Sequence, residues 1–112
     1  MHAARLRRGE DIARVGADGI ARNDRLFSLR ALGNDRPAVR VAVSASRALG
    51  GAVHRNRARR RIREAVRIAL RDRTVNGPTG MDLVLFARPA ALTAPARDLR
   101  DAVERELGRV LR

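Results

Sequence analysis

Apolar residues recur along this chain at two spacings, and the spacings divide it into elements. Ala58, Ile62, Ala65, Val66, Ala69 and Leu70 follow one another at offsets of three and four, which places them on one stripe of an α-helix. The helix predicted over roughly residues 52–72 is about 30 Å long. At about 100° per residue, Arg57, Arg60, Arg63, Arg67 and Arg71 fall mostly on its far side. A shorter helix is predicted over Gly9–Val15. Glu10 and Asp11 sit in its first turn, where the helix dipole favours acids, and Ile12 and Val15 share a face. Gly16 or Gly19 ends it. The second spacing is strict alternation. Phe27, Leu29 and Ala31 alternate with Ser28 and Arg30, as in a half-exposed strand. Val39, Val41 and Val43 do the same after the turn cluster Gly33-Asn34-Asp35-Arg36-Pro37. Two alternating runs around a short turn predict an antiparallel hairpin.

The remaining elements follow from composition within segments. Met81 to Ala87 is mostly apolar, as expected of a strand buried on both faces, with Asn76-Gly77-Pro78 as a stop before it and Arg88-Pro89 after it. Thr93 is the expected cap of a final helix, with Pro95 in the first turn. Its stripe is Leu99, Val103, Leu107, Val110 and Leu111. Arg100 with Glu104, and Asp101 with Arg105, are the expected i,i+4 pairs. Residues 1–8 read as a flexible basic arm. The predicted order is α-β-β-α-β-α, with a first β region long enough for two short strands. The strand, long helix and strand suggest a parallel pair joined by a crossover, right-handed by the general rule.

Charge changes the meaning of the long helix. The chain has 112 residues, enough for one domain with a modest core, and a net charge of +13. All 25 basic residues are arginine, which stays charged and forms bidentate pairs with phosphate oxygens. Asn56 lies among them, inside the helix, offering amide donors and an acceptor beside the guanidinium forks. A run of charge more often means only a solvated face. Here the charge of the whole chain favours a polyanionic partner. Cysteine is absent, which excludes disulfides, thiol catalysis and cysteine-bound zinc. No apolar run approaches the roughly 20 residues of a membrane span, and the N-terminus is no secretory signal. His2 and His54 read as surface residues, Glu10-Asp11 as a helix-start pair, and Asp82 as a turn or cap residue. None forms a nuclease constellation. The rival class is a ribosomal or duplex-DNA-binding module with the basic helix in a groove. A helix lying on anionic lipid fits less well, because the apolar stripe is narrow and Ala-rich.

The motif Gly50, Ala52-Val53, Arg55-Asn56-Arg57, Arg59-Arg60 and Ile62-Arg63-Glu64 resembles the bacterial ribonuclease P protein subunit. The resemblance extends to Asp11 and Gly19 at one end, and to Asp82 and Ala87-Arg88-Pro89 at the other. It implies a single RNA-binding domain over residues 1–112. The implied fold is an α+β two-layer sandwich of order α-β-β-β-α-β-α, like domain 2 of ribosomal protein S5, with a left-handed β-α-β crossover. It implies a cytoplasmic enzyme that removes 5′ leaders from precursor tRNA, with catalysis and Mg²⁺ on an RNA subunit bound 1:1. By position the RNA-facing set is Arg47, Arg55, Asn56, Arg57, Arg59, Arg60 and Arg63. The implied leader cleft lies between the first helix and the sheet, with Ile12, Leu29 and Arg40 as its residues here. The chain departs from the family where aromatics line that cleft. Ile12 and Gly16 stand at the helix positions and Leu29 at the strand position, where a slip of one residue in the alignment stays open. The chain has two aromatics in all, Phe27 and Phe86.

Overall fold

The strand over Gly80–Ala87 is apolar enough to be covered on both sides, and it takes the middle of the sheet. The computed structural model describes residues 3–71 and 80–111. Its elements are β1 (Ala4–Arg5), α1 (Gly9–Asp18), β2 (Ile20–Asn23), β3 (Phe27–Asn34), β4 (Arg40–Ala45), α2 (Ala52–Arg71), β5 (Gly80–Ala87) and α3 (Ala96–Val110). Short 3-10 turns span Arg47–Leu49 and Pro89–Leu92. The sheet order is β1-β4-β5-β3-β2. β4 and β5 are parallel neighbours, as the strand–helix–strand order suggested, whereas β3 and β5 are antiparallel.

The expected hairpin of β3 with β4 does not form. Each strand alternates and can cover only one side well, whereas β5 is apolar on both faces and sits between them. Residues 35–39 therefore arch across the start of β5. Gly80 passes directly beneath the arch, with its amide donating to Arg36 O at 2.5 Å. A Cβ at Gly80 would stand 1.8 Å from Ala38 O, so only glycine fits there. The expected stop at Asn76-Gly77-Pro78 lies outside the described residues.

α2 and α3 pack on one face of the sheet, against Phe27, Leu29, Ala31, Val43, Leu83 and Leu85. α2 buries Ala58, Ile62, Ala65, Val66, Ala69 and Leu70, the stripe its periodicity predicted. α3 buries Leu99, Val103 and Leu107, but also Glu106, which accepts a 3.0 Å hydrogen bond from Arg22 Nε of β2. Arg105 reaches Asp24 at 2.6 Å, rather than the expected Asp101. Thr93 does not cap α3. The turn from Pro89 ends at Thr93, and Pro95 takes the N-cap position without a side-chain cap.

α1 lies across part of the other face, where Val15, Val84 and Leu6 are buried, with Ile12, Leu32 and Ala42 packed beside them. It runs to Asp18, past the expected Val15, and Gly19 rather than Gly16 closes it by donating its backbone N–H to Val15 O. The predicted flexible arm is also corrected. Ala4–Arg5 pairs in parallel with Arg40 and Val41, and Leu6 is only 4% exposed. Leu6 is the physical reason: it fills the space between Val15 and the sheet, and so anchors the strand before it.

A polar cluster ties these parts together. Asp82, in the centre of the sheet and 1% exposed, accepts from Arg40 Nε at 2.8 Å, Arg40 Nη2 at 2.6 Å and Asn34 Nδ2 at 2.7 Å. Arg40 also reaches Asp11 of α1 at 3.4 Å. Asp82 is thus a buried acceptor joining β3, β4 and β5, not the turn or cap residue expected of it. Burial pushes its carboxyl up, but hydrogen bonds from Arg40 and Asn34 and the Arg40 charge outweigh burial and hold it below its ordinary 3.8.

Two outcomes follow. Ile62→Ala opens a cavity at a site with 0% exposure and should cost about 2–5 kcal/mol, read as a lower denaturant midpoint with an unchanged slope. Asp82→Asn leaves Arg40 only its 3.4 Å pairing with Asp11 and should cost up to about 3–5 kcal/mol at neutral pH. The folded carboxyl titrates below the unfolded one, so its contribution is complete above 3.8 and is lost as pH falls through the folded value. The stability gap between wild type and Asp82→Asn should therefore narrow in acid, as measured by urea unfolding at a series of pH values.

Candidate nucleic-acid interface

The outer face of α2 begins at a backbone feature that only glycine supplies. After β4, Leu49 plugs into the core and Gly50 turns the chain at φ 115°. A Cβ at Gly50 would meet the His54 ring at 2.9 Å. The turn presents Arg47 to solvent at the root of α2. Along the helix, Asn56, Arg57, Arg60 and Arg63 are exposed, and Arg55 and Arg59 are half-buried. All seven residues of the expected RNA-facing set thus fall on α2 or on the turn that leads into it.

Their partners divide the arginines of α2 into two groups. Arg61 donates to Ala91 O at 2.5 Å and also to Ala94 O, so it fastens α2 to the chain entering α3. Arg67 pairs with Glu64 at 2.6 Å, and that hydrogen bond, joined by the Arg67 and Arg71 charges, holds the Glu64 carboxyl below its ordinary value. No described carboxylate pairs with Arg57, Arg60 or Arg63. Arg59 donates to Asn56 Oδ1, which engages the acceptor of this exposed amide from within the protein. Arg55 Nε is buried with no acceptor among the described residues. A buried donor without a partner is costly.

Arg5 joins this face, which the sequence did not reveal because residues 1–8 read as an arm. A cleft of about 260 Å³ separates β1 from α2, lined by Ala4, Arg5, Val41, Arg63, Val66 and Leu70 among others. The Arg63 guanidinium is held below its ordinary value by burial, then by the charges of Arg5 and Arg59. Like charges gathered without a carboxylate make an anion site.

The second expected surface, between α1 and the sheet, is only partly as expected. Ile12 is half-buried and packs on the α1 side of the sheet. Leu29 is 0% exposed and belongs to the core under α2 and α3. It faces away from the cleft, and its assignment to the cleft is corrected. One residue along, Ser28 and Arg30 face the α1 side; Arg30 Nη1 donates to Gly16 O at 2.9 Å. Arg40 does line a cleft of about 490 Å³ with Asp11, Arg14 and Asn34, but Asp82 and Asp11 already hold its guanidinium. Of the two aromatics, Phe27 is 0% exposed and Phe86 39%.

The sequence model of the family Ribonuclease P matches residues 1–111. The "Ribonuclease P protein component" of Dehalococcoides mccartyi is 35% identical over 108 residues, covering 96% of this chain and 85% of that protein. Its counterpart from Kocuria rhizophila is 46% identical over 94 residues, covering 80% and 77%. The RNase P protein from Thermotoga maritima shares the fold at a TM-score of 0.78, with 24% identity, over 94% of this chain and 96% of that one. A match of the family's pattern over nearly the whole length, with the Arg55-Asn56-Arg57 motif on an exposed and largely unneutralised helix face, places this chain in the ribonuclease P protein family.

Proposed function

We propose that this chain binds the catalytic RNA of ribonuclease P through the outer face of α2, and assists removal of the 5′ leader from precursor tRNA. The chain is a component of ribonuclease P, an endoribonuclease complex, by its family. The observation that supports the binding mode is the segregation of arginines on α2: Arg61 and Arg67 are tied down, whereas Arg57, Arg60 and Arg63 are not neutralised by any described carboxylate. Arg47, Arg55, Asn56 and Arg59 complete the contact surface. Guanidiniums there replace counterions along the RNA backbone, and the Asn56 amide adds a directional donor for a sugar or base edge. The protein's contribution in this reading is electrostatic and positional.

The described residues do not fit a metal centre of their own. Among the described residues no three His, Cys, Asp or Glu side chains group as a metal site, and Asp82 and Asp11 are occupied by Arg40. The Mg²⁺ of the reaction is therefore assigned in this proposal to the RNA subunit. A 1:1 complex, precursor tRNA as substrate and a cytoplasmic setting belong to the same proposal. Among the described residues, no helix is long and apolar enough to cross a membrane.

Rigorously RNA-free protein should not cleave precursor tRNA, and addition of the catalytic RNA should restore Mg²⁺-dependent cleavage; cleavage by the protein alone would overturn the reading. If about 6–10 arginines meet phosphates, affinity for the catalytic RNA should drop roughly 10³–10⁵-fold between 50 and 200 mM salt, and a flat profile in a filter-binding titration would return the face to solvent. Arg57→Ala and Arg60→Ala should each weaken RNA binding by about 1.5–3 kcal/mol while leaving the thermal unfolding midpoint unchanged.

A further inference from the structure

We propose that Phe86 is a stacking platform for an unpaired base of the 5′ leader, taking the place of the aromatic side chains that the cleft beside α1 lacks. This inference rests on the RNA-binding reading above. Phe86 stands on the central strand, where both faces are otherwise covered. Two and four residues earlier on the same face, Val84 and Asp82 are each 1% exposed, whereas Phe86 is 39% exposed. The cover that α1 and Leu6 give this face therefore stops one row short of the ring. Phe27 is fully buried, and the chain has no Tyr or Trp. Phe86 is the one aromatic side chain able to meet a ligand.

Its neighbours suit a nucleotide better than an apolar protein surface. The cross-strand partners of Phe86 are Ser28 and Ser44, and Asn23 lies beyond Ser28. These are short polar side chains that leave the ring uncrowded and can hydrogen-bond to base or sugar edges. Arg88, exposed, is held at the rim by Asn23 Oδ1 at 3.3 Å. Arg30, in the next row, is fixed to the end of α1 by its bond to Gly16 O. The strand rows through Phe86 and Val84 contain no carboxylate on this face. A flat apolar ring among hydroxyls and guanidiniums, in a chain of +13, matches single-stranded RNA: aromatic side chains stack on unpaired bases while cations follow the backbone. The position also joins the two surfaces. Ser44, in register with Phe86, lies three residues before Arg47 at the root of α2, while Arg30 touches α1.

The test uses enzyme assembled from the full chain and the catalytic RNA, with wild type, Phe86→Leu and Phe86→Trp compared for precursor and mature tRNA. Leucine keeps an apolar side chain but cannot stack. Phe86→Leu should weaken precursor binding by about 5- to 150-fold and leave mature tRNA binding unchanged, with an unaltered melting temperature of the free protein. Phe86→Trp should retain precursor affinity, and its tryptophan, alone in the chain, should lose fluorescence on binding precursor but not mature tRNA. An unchanged precursor-to-mature ratio in Phe86→Leu, or an equal loss for both, would overturn the inference while leaving the α2 interface intact. If wild-type enzyme itself fails to prefer precursor over mature tRNA, the reading beneath fails and this inference fails with it.

Discussion

The carboxylate of Asp82 is the point on which the architecture turns. It accepts two hydrogen bonds from Arg40 on the parallel neighbour β4 and one from Asn34 on the antiparallel neighbour β3. β5, distant in sequence, is thereby set in register with both β3 and β4. Arg40 then extends to Asp11 and draws α1 onto the same face. Burying an ion pair gains little net stability over an apolar substitute, because desolvation consumes most of the attraction. Its value here lies in specification: a slip of one residue would turn Asp82 toward the apolar core beneath α2.

The helices were the legible part of this chain. α2 announces itself because twenty residues repeat one period, and the six apolar positions of its predicted stripe are the six that are buried. Strand identities were legible too, but not their pairing. Alternation in β3 and β4 shows that each has one covered side. It carries no information about which strand provides the neighbouring hydrogen bonds, and the short turn between them argued for the wrong one. Leu29 was placed in the cleft by its position in the family resemblance, where a slip of one residue stayed open; its neighbours Ser28 and Arg30 face that side instead. β1 was missed because two residues are too few to show a period, and Leu6 gains its meaning only from Val15 and Val84. Nothing local in the sequence marks Glu106 as buried, because its partner Arg22 lies 84 residues away.

Arginine serves this protein in two ways that composition cannot separate. Arg22, Arg40 and Arg61 are structural: each has its guanidinium committed to a carboxylate or to backbone carbonyls. Arg57, Arg60 and Arg63 share a helix with Arg61 but meet no described carboxylate, and Arg63 sits within reach of Arg5 and Arg59 as well. The difference is set by helical phase. Position 61 faces the turn before α3, whereas positions 57, 60 and 63 face out. A sequence with lysine in the second group would keep the charge but lose the planar fork.

The placement of β5 between β3 and β4 also dictates an order of events when the chain is made. β3 and β4 share no hydrogen bonds with one another, so everything up to the end of α2 has a gap where the middle of its sheet belongs. Residues 80–87 leave the ribosome last among the strands. Until they do, the edges of β3 and β4 stay unsatisfied, and Asp82 has not yet arrived to neutralise Arg40. Contacts across such long separations form slowly. The nascent protein therefore passes through a stage in which its arginine-rich helix is already synthesised while the sheet that must support it is still in two pieces.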